Sequence, residues 1–258
     1  LILVRDRIGE KPLYYGWQGY GLNKTFLFGS ELKALKKHPA FVNEIDRSSL
    51  ALYMRYSYVP APHSIYKGIM KVEPGTIITI SLNEKDHTVE KYWDYSDVIK
   101  KGFKQPFKGT ATEVANNLDT ALKKTISQQM MADVPLGAFL SGGIDSSAIV
   151  ALMQDQSPRP IKTFTIGFKE AGYNEAGFAK LVAKHIGTEH TELYVSSQDA
   201  LNVIPKLPTL YCEPFADSSQ IPTFLVSSLA RNHVTVSLSG DGGDELFCGY
   251  NRYLVASK

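Results

Sequence analysis

Two stretches of this chain combine glycines, hydroxyls and carboxylates at a spacing suited to holding phosphate. The first is Ser141-Gly142-Gly143-Ile144-Asp145-Ser146-Ser147, which comes after an apolar run over residues 136–140. Gly142 and Gly143 let the backbone approach a ligand without a Cβ clash. Ser141 and Ser146 add hydroxyl donors. A helix starting after the glycines would aim its free N–H groups and positive dipole end at the loop. Together these make an anion site for phosphate or pyrophosphate. It is not a Walker A loop, because no Lys-Ser/Thr follows the glycines, nor is it the G-x-G-x-x-G dinucleotide pattern. A carboxylate repels phosphate unless a cation lies between them, so Asp145 reads as a magnesium ligand. The alternative is a tight turn with Asp145 as an ordinary helix cap. The second stretch is Ser239-Gly240-Asp241-Gly242-Gly243-Asp244-Glu245, after the apolar run 234–238. Asp145 and Asp244 could share one magnesium ion. Otherwise the acids only favour a first helical turn.

Such loops need strands ending at a common edge. After residue 109 the pattern supplies them. Thr110-x-x-Glu113 is a capping box, followed by a helical stripe of Val114, Leu118, Leu122 and Ile126. Strands are expected at 136–140, 161–166, 190–195 and 234–238. Helices are expected at 145–156, 174–185 (closed by Gly187) and 218–232. This alternation predicts an α/β fold, a mostly parallel, doubly wound sheet with helices on both faces, and ligands at the carboxyl ends of its strands. Upstream, short β-like runs at 1–4, 13–16, 26–28 and 76–81 are separated by turn residues. A short helix capped by Ser30 and a second over 46–57, with Leu50, Met54 and Ser57 on one side, lie among them. The expected domains are 1–82, a polar and mostly irregular linker over 83–109, and 110–258.

Composition narrows the function. The chain has 258 residues, is 43% hydrophobic, and its 28 Lys plus Arg nearly balance 26 Asp plus Glu for a net charge of +2. Disorder, collagen and coiled coil are excluded as whole-chain readings, and the charge balance gives no support to nucleic-acid or membrane-surface binding. No run approaches the length of a membrane span. Two cysteines, Cys212 and Cys248, make neither a disulfide framework nor a zinc spacing, which points to a reducing, cytoplasmic setting. Both are expected to be buried free thiols. The chain opens on Leu1 within a strand-like run and closes within a helical one, so it is expected to be an internal piece of a longer polypeptide.

The two loops resemble those of the PP-loop ATP pyrophosphatases, a HUP-like group, and more narrowly those of the glutamine-dependent asparagine synthetases. Ser141 to Ser147 is similar to that family's SGG(L/I)DSS, and Leu238 through Tyr250 to its LSG(D/E)G(G/S)DE…GGY. Thr163-Phe164-Thr165-Ile166-Gly167-Phe168 is similar to a strand of the same domain. Arg5-Asp6-Arg7-Ile8-Gly9-Glu10-Lys11-Pro12-Leu13-Tyr14-Tyr15 and Phe28-Gly29-Ser30-Glu31-Leu32-Lys33-Ala34-Leu35 resemble the last strands of its αββα N-terminal-nucleophile glutaminase domain. Tyr58-Val59-Pro60-Ala61-Pro62 and Lys71-Val72-Glu73-Pro74-Gly75 resemble its connection to the synthetase domain. The resemblance implies ATP contacts at Leu140, Ser141, Gly142, Gly143, Asp145, Ser146, Ile166, Ser239 and Gly240, with Mg2+ on Asp145 and Asp244. Leu140 and Ile166 are read as the ends of adjacent strands, where backbone groups can read adenine. The residue after Ser239-Gly240, associated with forming the acyl-adenylate, is Glu in some members and Asp241 here, one carbon shorter. The implied reaction activates aspartate with ATP as β-aspartyl-AMP, then amidates it with ammonia from glutamine.

The glutaminase's N-terminal cysteine and glutamine-holding residues would lie upstream of Leu1. Neither Cys212 nor Cys248 can replace that cysteine, and the later part of the synthetase domain would come after Lys258. This chain alone is therefore expected to lack glutaminase activity and to have little or no synthetase activity. A paralogue amidating another carboxylate, such as a sugar acid, and a non-catalytic nucleotide-binding module remain as alternatives. No nucleic-acid or membrane partner is expected, and a homodimer is left open. Glu213-Pro214-Phe215-Ala216-Asp217-Ser218-Ser219 is similar to a family loop near the amino-acid substrate, or is only a cap formed by Asp217 or Ser218. His185 and His190 read as surface or strand-edge histidines. Arg5, Asp6 and Arg7 could form a structural ion cluster.

Overall fold

The computed structural model describes residues 1–81, 87–168 and 175–256. The stretch 83–86, expected to be irregular, and Asn174, expected to open a helix, lie outside them. In chain order the elements are β1 (Ile2–Val4), β2 (Tyr14–Gln18), β3 (Thr25–Gly29), α1 (Leu32–Leu35), α2 (Arg47–Tyr56), β4 (Ile69–Lys71), β5 (Thr76–Ile80), β6 (His87–Lys91) and α3 (Tyr95–Lys104). Then come α4 (Ala111–Gln129), β7 (Leu136–Phe139), α5 (Ile144–Asp155), β8 (Lys162–Phe168), α6 (Ala176–Ile186), β9 (Glu189–Val195), α7 (Ser197–Leu201) and α8 (Leu207–Leu210). Last are α9 (Gln220–Arg231), β10 (Val236–Leu238), α10 (Gly243–Phe247) and α11 (Asn251–Ala256). The chain divides into two units: Leu1–Phe107 with Pro205–Asp217, and Lys108–Ile204 with Ser218–Lys258. Residues 205–217, expected within the second domain, thus pack in the first unit.

The first unit holds two antiparallel three-stranded sheets, ordered β1-β5-β6 and β3-β2-β4. Strand alternation sends Tyr14 and Tyr15 to opposite faces of β2. Tyr15 joins Leu3, Val72, Ile78 and Ile80 in one core, and Tyr14 joins Leu27, Leu32, Leu35 and Ile69 in another. The expected linker is largely regular, because Val89 and its neighbours in β6 pair with β5 and Asp94 caps α3 through the Ser96 N–H. The helix expected over 46–57 forms as α2, capped by Asp46, and turns Leu50 and Met54 to solvent; Ser49 is buried and Tyr53 packs on the core. Ser30 does not cap α1, whose first flanking residue is Glu31. Among the described residues Arg5, Asp6 and Arg7 make no ion pair with one another, and Arg5 and Asp6 instead satisfy backbone. The Arg5 guanidinium donates to the Gly9, Lys11 and Val72 carbonyls, and the Asp6 carboxylate accepts N–H groups from Ile8, Gly9, Glu10 and Lys11 at 2.6–3.2 Å.

The second unit is the expected α/β layer structure. Its sheet is parallel and ordered β10-β7-β8-β9. Ala138 and Leu140 turn to one face, against Ile126 of α4, Val150 and Met153 of α5, and Ala179 and Ala183 of α6. Phe139 and Phe164 turn to the other, against Val226, Leu229 and Ala230 of α9. Both faces are therefore covered, as near-continuous apolar strands require. The capping box at Thr110 and Glu113 is formed, and Gly187 closes α6 at φ +85°. Of the α4 stripe only Ile126 is fully buried, while Val114 and Leu118 are exposed, so the helix meets the sheet with its last turns. No described helix is long and apolar enough to cross a membrane.

The Asp6 turn generates a pH prediction. Burial raises its pKa, but the four backbone N–H donors outweigh that and hold the carboxyl below the ordinary carboxylate range. The depressed value stabilises the fold above about pH 4, and that contribution is lost as the pH falls through the native-state pKa. Discounted for solvent screening at this exposed side chain, Asp6→Ala is expected to cost about 1 kcal/mol at neutral pH. Thermal denaturation at pH 7 and pH 3 should show the difference from wild type shrinking in acid. An undiminished difference would contradict the assignment.

Candidate nucleotide site

The parallel register brings the two glycine loops to one edge. Strand β7 has β10 on one side and β8 on the other, with Leu238 beside Ala138 and Phe139 beside Phe164. The loops Ser141 to Gly143 and Ser239 to Gly242 therefore leave adjacent strands at their carboxyl ends. Each runs directly into a helix, α5 or α10.

The first loop is shaped by its own hydroxyls. The Ser141 and Ser146 hydroxyls are 2.9 Å apart, Ser146 Oγ accepts the Ser141 N–H at 3.2 Å, and Ser141 Oγ accepts the Gly143 N–H at 3.2 Å. Ser146 is buried and serves the loop's interior here, rather than presenting a free donor as the sequence suggested. Gly142 adopts φ +84°, and a Cβ there would lie 2.6 Å from the Ala179 backbone nitrogen. The glycine is thus required twice, by its dihedral and by the approach of the first turn of α6. Asp145 is half-buried in the first turn of α5. Two residues later the Ser147 hydroxyl is buried with no hydrogen-bond partner, an unused polar atom near the loop.

The second loop lies against the first. A Cβ on Gly240 would come within 2.8 Å of the Ser146 backbone nitrogen, and one on Gly243 within 2.5 Å of an Asp145 carboxylate oxygen. The Asp145 carboxylate thus touches the residue directly before Asp244. The Asp244 carboxylate packs onto Gly249, where a Cβ would lie 1.8 Å from its Oδ1. The Ser239 hydroxyl donates to Asp241 Oδ2 at 3.0 Å, so Asp241 is folded back on its own loop. Glu245 accepts the Tyr250 hydroxyl at 2.6 Å. Leu140 is buried and its N–H reaches the Phe164 carbonyl at 3.0 Å. Ile166 is not the last residue of its strand, since β8 continues to Phe168 and pairs Ile166 with Leu193.

Other sequence expectations fall elsewhere. Ser219, not Asp217 or Ser218, flanks α9, without a side-chain capping bond. Cys212 is half-buried, whereas Cys248 is exposed at φ +60°, so the expectation that both are buried fails for Cys248. His190 lies on the edge strand β9, as expected; its Nδ1 is 2.8 Å from the buried Thr163 hydroxyl, and burial pushes its pKa down. What the sequence reading missed is the pairing of Glu213, which it named only as part of the 213–219 loop. The Glu213 carboxylate is almost fully buried in the first unit, where it pairs with Lys71 and accepts the Ile65 N–H at 2.7 Å. The one available signal was an acid held in an otherwise apolar stretch.

Comparison with known proteins decides the family. The Asparagine synthase family description matches residues 117–258, and the Glutamine amidotransferase domain matches residues 1–93. The chain belongs to the asparagine synthase family. It is 38% identical over 256 residues to a putative glutamine-hydrolysing asparagine synthetase 2 of Methanocaldococcus jannaschii, covering 97% of this chain and 47% of that protein. It is 38% identical over 253 residues to the glutamine-hydrolysing asparagine synthetase 1 of Bacillus subtilis, covering 97% of this chain and 37% of that protein. The chain thus spans less than half the length of these relatives. Among solved structures, an NH3-dependent NAD synthetase from Campylobacter jejuni is similar over 53% of this chain and 60% of its own, at 14% identity and a TM-score of 0.38, a likeness too slight to bear on the site.

The glycine contacts yield a stability prediction. Gly242 also has positive φ, +89°, but a Cβ there would meet open space. Gly242→Ala should cost about 1–2 kcal/mol for the left-handed backbone alone. Gly142→Ala should cost clearly more, because backbone atoms block its Cβ. Denaturant unfolding of both variants checks this, and equal losses would contradict the packing of the first loop on α6.

Proposed function

We propose that this chain carries the nucleotide-binding part of an enzyme that activates aspartate with ATP and amidates it with ammonia released from glutamine. The observation that carries the reading is the apposition of the two loops, with the Asp145 carboxylate against Gly243. Membership of the asparagine synthase family supports the use of ATP, and the match of residues 1–93 to a glutamine amidotransferase domain supports glutamine as the nitrogen source.

In this reading the backbone of Ser141, Gly142, Gly143, Ser239 and Gly240 cradles the triphosphate. The N-terminus of α5 adds its dipole, and Ser146 keeps the first loop in shape. The family resemblance assigns Leu140 and Ile166 to adenine, although Ile166 lies two residues before the end of β8. Among the described residues no three His, Cys, Asp or Glu side chains gather as a metal-holding group. The donor set instead offers two carboxylates, Asp145 and Asp244, on apposed loops. That suits Mg2+, which is commonly held by one or two carboxylates with phosphate oxygens completing its shell. Bound there, the ion would neutralise charge on the leaving pyrophosphate.

Aspartate's side-chain carboxylate is a poor electrophile. Its attack on the α-phosphorus expels pyrophosphate and gives a β-aspartyl adenylate, and ammonia then displaces AMP from the carbonyl carbon. The protein holds nucleotide and acceptor in line and stabilises charge on the leaving oxygens. The resemblance assigns Asp241 to the acyl-adenylate step; to reach substrate it would have to leave its hydrogen bond with Ser239.

The test is pyrophosphate release by the full-length protein with ATP, varying the acceptor. Aspartate should support release, and Asp145→Asn and Asp244→Asn should each lower it by about 10²-fold or more, the scale seen when one electrostatic stabiliser is removed. Release with a different carboxylate only would replace aspartate as the acceptor. Undiminished release in both variants would overturn the site.

A further inference from the structure

Adenine is a flat ring system, and a site that holds it well offers a flat apolar face. Leu140 and Ile166 do not offer one. The Leu140 side chain is buried in the core under α5 and α6, and Ile166 lies within β8, paired with Leu193 of the edge strand. An aromatic face does lie beside the first glycine loop, at the start of α6.

Helix α6 carries the chain from the carboxyl end of β8 back to the amino end of β9, since the two strands are parallel. Its first turn is therefore at the edge where the two glycine loops leave the sheet. Phe178 is in that turn. A Cβ on Gly142 would lie 2.9 Å from the Phe178 Cβ and 2.8 Å from the Phe178 carbonyl carbon, so the ring is rooted directly against the first loop. The helix packs on β8 and β9, which puts Phe178 on the β8 side of that loop, the side to which Ile166 belongs. Side chains on a helix lean toward its N-terminus, here the carboxyl edge of the sheet.

The core does not use this ring. Ala176, Ala179 and Ala183 form the buried side of α6, while Phe178 is 67% exposed. Single exposed apolar side chains are common on any surface. Leu181, one turn farther from the edge, is one of them, at 66% exposure. Position sets Phe178 apart, because its own backbone closes on Gly142 of the phosphate cradle. Stacking asks only for a π face next to the base, and a base bound through its phosphates at this loop supplies the other half.

We infer that Phe178 is a base-contacting residue of the nucleotide site, its ring packing against the adenine of ATP held at the first loop. This rests on the proposed function and adds a residue that the resemblance does not assign. The test separates base from phosphates, because tripolyphosphate carries the phosphates alone, and binding is read without aspartate, so the outcome does not depend on the acceptor. In the full-length protein, Phe178→Ala should weaken MgATP binding about tenfold by titration calorimetry. Magnesium tripolyphosphate binding should stay within about twofold of wild type. Leu181→Ala should leave both affinities unchanged. Phe178→Trp should bind MgATP at least as tightly as wild type, and the fluorescence it adds to that of Trp17 and Trp93 should be quenched by AMP and not by tripolyphosphate; this variant carries the test if Phe178→Ala does not fold. Parallel losses of ATP and tripolyphosphate affinity would make Phe178 a support of the loop alone, and undiminished ATP affinity in Phe178→Ala would remove it from the site. Either result overturns the inference and leaves the proposed function intact. A wild type that binds neither ATP nor tripolyphosphate would overturn both.

Discussion

The Gly243 backbone lies so close to Asp145 that a single added methyl would fall 2.5 Å from its carboxylate. That approach, repeated at Gly240 against the Ser146 backbone nitrogen, is the constraint the second unit is organised around. Only residues without a Cβ allow two strand-to-helix turns to meet backbone to backbone. The parallel order of β10, β7 and β8 delivers the turns to one edge, and the apolar cover on both faces holds the strands that carry them.

The first unit is organised differently. Its chain reversals are secured by side chains that bind backbone over short and long separations: Asp6 over its own turn, Arg5 on three carbonyls, and Glu213 on the Ile65 N–H. These groups are charged, yet none of the bonds named is an exposed ion pair, the kind that contributes least. Charge here defines the path of the chain rather than adding bulk stability.

The second unit is largely legible in the sequence. Strand, glycine turn and helix recur there in local order, and local signals such as the Thr110 and Glu113 capping box and Gly187 are written within four residues or at a single position. The apposition of the loops comes from the alternation of strands and helices, since a parallel sheet has one carboxyl edge. The features that are not legible depend on distant partners. Glu213 finds Lys71 across 142 positions, so no local window could reveal it. The sequence places Leu50, Met54 and Ser57 on one side of α2 without saying which side is buried; Ser49 and Tyr53 face the core, because sparse apolar residues leave the helix phase undecided. The polar stretch holding β6 and α3 reads as irregular because β6 takes its hydrogen bonds from β5 and carries no apolar pattern of its own. Exposed Cys248 sits in a left-handed turn at the end of α10, which composition does not predict.

The central claim is that Asp145 and Asp244 act on one nucleotide through one shared ion. A double-mutant cycle on MgATP affinity, measured by titration calorimetry on the full-length protein with Asp145→Asn, Asp244→Asn and the pair, tests it most directly. A shared ion predicts that the second substitution costs much less once the first is made, with a coupling of about 1 kcal/mol or more, whereas independent sites add within about 0.5 kcal/mol. Additive losses would mean that the two loops, though in contact, do not hold the same ion.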